Sequence, residues 1–145
     1  MSEIVIIEKE LSYLIMQIAY HVHNVLGPGF PEAIYEEAMN REFIKRGINF
    51  ERQKRVTVFY EESPIGEFIL DNIVNGKVIL EYKAVSEIAR IHEQQALSYL
   101  KATGLELAIV INFGAERVQS SRVANTKGKA KLSPQTHRNV SQKNK

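Results

Sequence analysis

The chain has no cysteine, no tryptophan, four prolines and a single aspartate, Asp71, among its 145 residues. Without cysteine there is no disulfide framework, no zinc–thiolate site, no cysteine-held iron–sulfur cluster and no thiol nucleophile. Any metal must therefore sit on oxygen or imidazole. No apolar run approaches the roughly 20 residues that a helix needs to cross a bilayer. The first residues, Met1-Ser2-Glu3-Ile4-Val5-Ile6-Ile7-Glu8-Lys9-Glu10, lack the basic-then-apolar layout of a signal peptide. The expectation is a soluble, cytoplasmic protein with no membrane partner. P-loop and dinucleotide fingerprints are also missing.

Acidic residues are absent from the C-terminal stretch. From Ala124 to Lys145 the chain carries Lys127, Lys129, Lys131, Arg138, Lys143 and Lys145 and no acid, which leaves residues 1–123 with four net negative charges beneath an overall +2. This divides the chain into one domain, 1–123, and a basic tail, 124–145, expected to be disordered. Such a tail can attract phosphates through counterion release, or simply be solvated. At 44% hydrophobic and 25% charged residues, the chain as a whole has the composition of an ordinary globular domain.

Apolar residues Leu11, Leu14, Ile15, Ile18, Ala19, Val22, Val25 and Leu26 recur at helical spacing and predict a first helix. Gly27-Pro28-Gly29 stops it, and Pro31 suits the first turn of a second helix. That helix has Glu32, Glu36 and Glu37 near its positive end and closes at Gly47. Val56 to Tyr60 reads as a strand, Glu61 to Pro64 as a turn, Ile65 to Val74 as a second strand and Val78 to Lys83 as a third. A helix from Ile88 to Thr103, closed by Gly104, precedes a fourth strand over Leu105 to Phe113. Glu116 to Val123 could add a short fifth. This order predicts a mixed α/β sandwich with a crossover helix.

Asp71 falls inside an apolar strand, where a carboxylate is costly unless paired. Glu81-Tyr82-Lys83 ends the next strand, and strand alternation puts Glu81 and Lys83 on one face. A two-residue Asn75-Gly76 turn would pair Asp71 with Leu80 and separate the carboxylates. A three-residue loop, Val74-Asn75-Gly76, would pair Ile73 with Lys77 and put Asp71, Glu81 and Lys83 on one face. The sequence permits both; the second is expected because one cation could then neutralise both carboxylates. Two carboxylates suit Mg²⁺ or Mn²⁺, and a lysine beside the metal can orient an attacking water, which equips the site for phosphodiester hydrolysis. The plain alternative is a structural ion pair of Lys83 with Asp71 or Glu81.

Gly29-Phe30-Pro31-Glu32-Ala33-Ile34-Tyr35 matches the signature of the GxxExxY family, which resembles the PD-(D/E)xK nuclease superfamily. Further matches are the lead-in His23 to Gly29, the strand ending at Asp71, Glu81-Tyr82-Lys83, His92-Glu93-Gln94-Gln95, Tyr99 to Gly104 and Ile111-Asn112-Phe113-Gly114. The resemblance implies a restriction-endonuclease-like core of α-β-β-β-α-β order behind an extra N-terminal helix. It implies Asp71 and Glu81 as metal ligands, Lys83 beside the attacking water, and Glu32 as a glutamate from the first core helix that serves the metal and catalysis. Gln95-x-x-x-Tyr99 resembles the Q-x-x-x-Y element of helicase-associated nucleases, which makes Gln95 the third catalytic candidate. Leu70 replaces the proline of the superfamily motif, and Tyr82 holds its variable middle position.

Tyr35 is expected to be a packing residue, and His23 and His92 to be hydrogen-bonded residues without a catalytic role. Three functions follow: a metal-dependent nuclease acting on DNA or RNA, a nuclease-fold module binding nucleic acid or protein, or a self-associating structural domain. Only the tail and Arg52, Lys54 and Arg55 could supply a basic groove. A domain that must grip two strands would gain from pairing as a homodimer.

Overall fold

The computed structural model describes residues 7–125. Its elements run α1 (Lys9–Leu26), α2 (Glu32–Lys45), β1 (Phe50–Tyr60), β2 (Ser63–Val74), β3 (Val78–Lys83), α3 (Arg90–Thr103), β4 (Leu107–Asn112) and β5 (Gln119–Ala124). From α2 to β4 this is the expected α-β-β-β-α-β order, preceded by the extra helix α1. The five strands form one sheet in sequence order, β1-β2-β3-β4-β5. Only the β3–β4 pair is parallel, because α3 carries the chain back between them.

The strands that read as apolar throughout are central: every residue of β4 is buried, and every residue of β3 except Lys83. Helices α1 and α2 cover one face, with Ile15, Ile18, Val22, Tyr35, Met39 and Phe43 against Leu80, Tyr82, Ile109 and Ile111. Helix α3 covers the other face, where Ala96 and Leu100 join Ile73, Ile79 and Val110. The stripe predicted for α1 is narrower than expected, since Leu14 and Val25 are exposed.

Helix ends follow the glycines. At the end of α2, Gly47 adopts φ 70° while its N–H donates to Ile44 O at 3.1 Å and Ile48 N–H to Phe43 O at 2.9 Å, the paired bonds of a Schellman ending. Strand β1 begins at Phe50, before the predicted Val56, because residues 50–55 carry the charges of an exposed edge strand and no apolar alternation. The turn into β2 is only Glu61-Glu62, both at positive φ, so Ser63 and Pro64 already belong to the strand. Strand β5 includes Ala124, and Asn125 N–H donates to Glu106 O at 2.9 Å, so the folded segment runs two residues past the expected boundary. The basic tail beyond lies outside the described residues.

Candidate metal and catalytic centre

Strands β2 and β3 set the centre through their connecting loop. The pairs Val74↔Val78, Ile73↔Ile79 and Asn72↔Leu80 make the loop Asn75-Gly76-Lys77. This is a three-residue loop, placed one residue later than the expected Val74-Asn75-Gly76. Asn75 at φ 58° and Gly76 at φ 66° both take the left-handed conformation, and Lys77 N–H donates to Val74 O at 3.0 Å, which keeps Val74 in the ladder. Moving a three-residue loop by one position changes partners but keeps parity, so Asp71 is still brought to Glu81.

The two carboxylates meet where the ladder ends. Beyond Asn72↔Leu80 the strands exchange side-chain bonds in place of main-chain ones. Asp71 N–H donates to Glu81 Oε2 at 3.2 Å, and Tyr82 N–H donates to Asp71 Oδ2 at 2.9 Å. Strand β1 is irregular at the same level: Gln53 sits at φ 51° between the pairs Arg52↔Asn72 and Lys54↔Leu70, and its amide donates to Glu36 of α2.

Burial governs the electrostatics. Glu81 is 7% exposed and Asp71 half-buried. Burial pushes the Asp71 carboxyl up to about 6, against the Tyr82 N–H bond and with further upward pressure from Glu36 and Glu32. The Glu81 carboxyl is pushed up to about 8, by burial first and then by the charge of Asp71, with Glu36 adding to it. Lys83 opposes both shifts through space. Among the described residues it forms no ion pair within 4.0 Å with either carboxylate, so the purely structural Lys83 ion pair is not made there.

The remaining candidates are placed unequally. Glu32 is exposed in the first turn of α2 and reaches Asp71 only through its field. Among the described residues, no three His, Asp or Glu side chains are grouped closely enough to hold a metal together, so Glu32 does not complete a three-ligand set. Gln95 is exposed on α3. Its companion Tyr99 is better placed: its ring stacks on Phe68 at 4.2 Å, and burial together with Glu81 and Asp71 holds its phenol above the usual value. His92 accepts from Ala89 N–H through Nδ1 at 2.9 Å, and its imidazole is pushed down by burial and then by Lys83. Sequence reasoning missed Glu36. It stands one helical turn after Glu32, raises both carboxyls, and weighs more than Glu32 on Asp71. The i,i+4 spacing from Glu32 was the available signal.

Signature residues outside the pair are structural. Tyr35 is fully buried; its hydroxyl donates to Gly27 O at 2.6 Å and accepts Phe30 N–H at 3.1 Å, pinning the glycine corner, and its ring stacks on Phe113 at 4.7 Å. His23 is bonded to Ala115 O at 3.1 Å. Asn112 binds the loop after Lys83, with Oδ1 accepting Val85 N–H and Nδ2 donating to Val85 O, both at 2.9 Å. Gly114 has to be glycine, because a Cβ there would lie 2.4 Å from Val85 O. The cations that could supply a basic groove are themselves paired: Arg52 with Glu37 and Arg55 with Glu67, each at 3.0 Å, and Lys54 with Glu51 at 3.1 Å.

The sequence model of the PD-(D/E)XK nuclease superfamily matches residues 9–123. No curated protein matches the sequence. The fold is similar to the crystal structure of SSO0001, with a TM-score of 0.53 at 16% identity, covering 89% of this chain and 66% of that one, just under two thirds. It is also similar to an alkaline exonuclease, LHK-Exo, from Laribacter hongkongensis, with a TM-score of 0.49 at 11% identity, covering 98% of this chain and 79% of that one. Among the described residues no helix is long and apolar enough to cross a membrane.

Proposed function

Because the chain belongs to the PD-(D/E)XK nuclease superfamily, we propose that it hydrolyses phosphodiester bonds in DNA or RNA at the Asp71–Glu81 pair, with Mg²⁺ or Mn²⁺ as cofactor. The observation that carries this reading is the pair itself. Two carboxyls are held side by side by each other's strand N–H groups, in surroundings that keep them from ionising together. Such a donor set fits a small hard cation, which needs oxygen ligands and retains part of its water. A bound divalent ion supplies charge neutralisation at phosphate and acidifies a water.

The chain's own groups divide the remaining work. Asp71 and Glu81 would hold the ion. Lys83, close enough to act on both carboxylates yet bound to neither, orients the attacking water and holds it against the phosphate. Glu32, exposed in the first turn of α2, would support the ion's site from the helix, and Gln95 would contact a substrate phosphate. The basic tail adds sequence-independent attraction to the nucleic acid, and a homodimer would present two centres to a duplex.

Calorimetric titration of Mg²⁺ and Mn²⁺ into the parent and Asp71→Ala, followed by cleavage assays on mixed DNA and RNA, tests the reading. Binding and metal-dependent cutting by the parent, both lost in the variant, are expected. Full activity in Asp71→Ala would remove the site. A second reading, a nuclease-fold module that binds nucleic acid or protein with little turnover, is favoured by the ion-paired state of Arg52, Lys54 and Arg55. It requires binding without metal-dependent product.

A further inference from the structure

The β2–β3 ladder stops at Asn72 and Leu80, one residue short of both carboxylates, so main-chain pairing does not fix the distance between Asp71 and Glu81. The neighbours of the two acids do make a connection. Tyr82 Oη donates to Asn72 Oδ1 at 2.5 Å, and Asn72 Nδ2 donates to Asn40 Oδ1 at 2.9 Å and to Glu51 O at 3.2 Å. Four elements, α2, β1, β2 and β3, are thus tied at the level where the ladder ends. All three side chains are buried.

This network is costly. Buried polar groups destabilise unless every member is satisfied, and Asn40 Nδ2 has no partner among the described residues. Apolar side chains of the same volume would fill that space without the desolvation cost. The network's position accounts for its presence, since Asn72 follows Asp71 directly and Tyr82 follows Glu81 directly.

We propose that Tyr82 and Asn72, anchored on Asn40, are positioning residues that clamp β2 to β3 behind the centre and thereby set the separation of Asp71 and Glu81. The inference rests on the reading of that pair as the metal centre, although the clamp has a consequence that needs no metal. Asp71 N–H and Tyr82 N–H, the two amides bonded to the carboxylates, should be protected from exchange only while the clamp holds.

Amide hydrogen exchange by NMR and Mn²⁺ titration are measured on the parent, Tyr82→Phe, Asn40→Ser, Ile18→Val and Asp71→Ala. Ile18→Val loosens the core from α1 and leaves the network intact, so it controls for general destabilisation. Tyr82→Phe is expected to speed exchange at Asp71 and Tyr82 about tenfold relative to Ile79, and to weaken Mn²⁺ by about 10–100-fold, the range for groups that orient metal ligands. Asn40→Ser should act in the same direction, and it carries the test if Tyr82→Phe does not fold. Ile18→Val should leave both readouts unchanged. Unchanged local exchange and Mn²⁺ affinity in the network variants, or equal losses in Ile18→Val, would overturn the clamp. If the parent binds no Mn²⁺ but the amides behave as expected, the clamp stands and the metal reading falls.

Discussion

The glycine corner at Gly27–Tyr35 and the hairpin at Asp71–Lys83 both stand out in the sequence, yet they are built on opposite terms. At the corner, the Tyr35 hydroxyl both donates and accepts, so burying it costs little. At the hairpin, a buried carboxyl and a half-buried one are set against each other, and the nearby lysine makes no direct pair with them among the described residues. A signature residue such as Tyr35 can therefore be a structural fastening, while unmet electrostatic demand marks the place where chemistry can occur. The two regions should respond oppositely when their polar groups are removed.

The largest expected effect is at the hairpin. Asp71→Ala and Glu81→Gln should each reduce Mg²⁺ affinity and cleavage by more than about 100-fold, beyond the range for groups that only orient ligands. In metal-free buffer at pH 8, however, Glu81→Gln should leave thermal stability unchanged or raise it, because it removes a buried charge and keeps an oxygen for Asp71 N–H. A large fall in melting temperature for Glu81→Gln would make the pair a structural element like the corner.

The next effect is on pH dependence. In the folded chain Asp71 and Glu81 hold their protons up to about 6 and about 8, whereas in an unfolded chain they release them near pH 4. Between those limits the folded state binds more protons than the unfolded state, so unfolding free energy from these groups falls as pH rises. Metal-free protein should therefore lose stability from about pH 4 to about pH 8, and Mg²⁺ should restore most of it at the upper end. Calorimetry in buffers of different ionisation enthalpy should show proton release on Mg²⁺ binding at pH 7 and less at pH 9. A profile that rises with pH in the metal-free protein would contradict the assignment.

At the corner the sign reverses. Tyr35→Phe leaves Gly27 O and Phe30 N–H without their partner and should cost about 1–3 kcal/mol in urea unfolding. Mg²⁺ affinity should stay within about threefold of the parent, since no ligand moves. A loss of metal binding comparable with that of Asp71→Ala would mean that the corner belongs to the centre.

How much of this was legible in the sequence follows from what each residue needed. Helix α2 could be read because Pro31 and Gly47 mark its ends, and β4 because Leu105 to Phe113 is the most apolar run in the chain. The first half of β1 was hidden, because an exposed edge strand carries Arg52, Lys54 and Arg55 without alternation and is held by main-chain bonds to β2. The meeting of Asp71 and Glu81 was legible as parity, since any three-residue loop gives it. The broken ladder was not, because it depends on side chains replacing main-chain partners. Glu36 is marked only by its i,i+4 spacing from Glu32, because the packing of α2 against the sheet decides which turn approaches the pair.

That choice between neighbouring turns gives the smallest and most discriminating test. Glu36 raises both Asp71 and Glu81, and it weighs more than Glu32 on Asp71. Following the carboxyl carbons by NMR in metal-free protein, Glu36→Gln should lower the titration midpoints of both acids, because removing a negative charge favours their ionisation. Glu32→Gln should lower that of Asp71 by less than Glu36→Gln does. Both shifts should be smaller than those caused by burial, and Mg²⁺ affinity should change by less than about tenfold in either variant. If Glu32→Gln moved Glu81 as far as Glu36→Gln does, the first turn of α2 would face the centre more closely than the packing indicates, and Glu32 would regain the ligand role that its place in the signature implies.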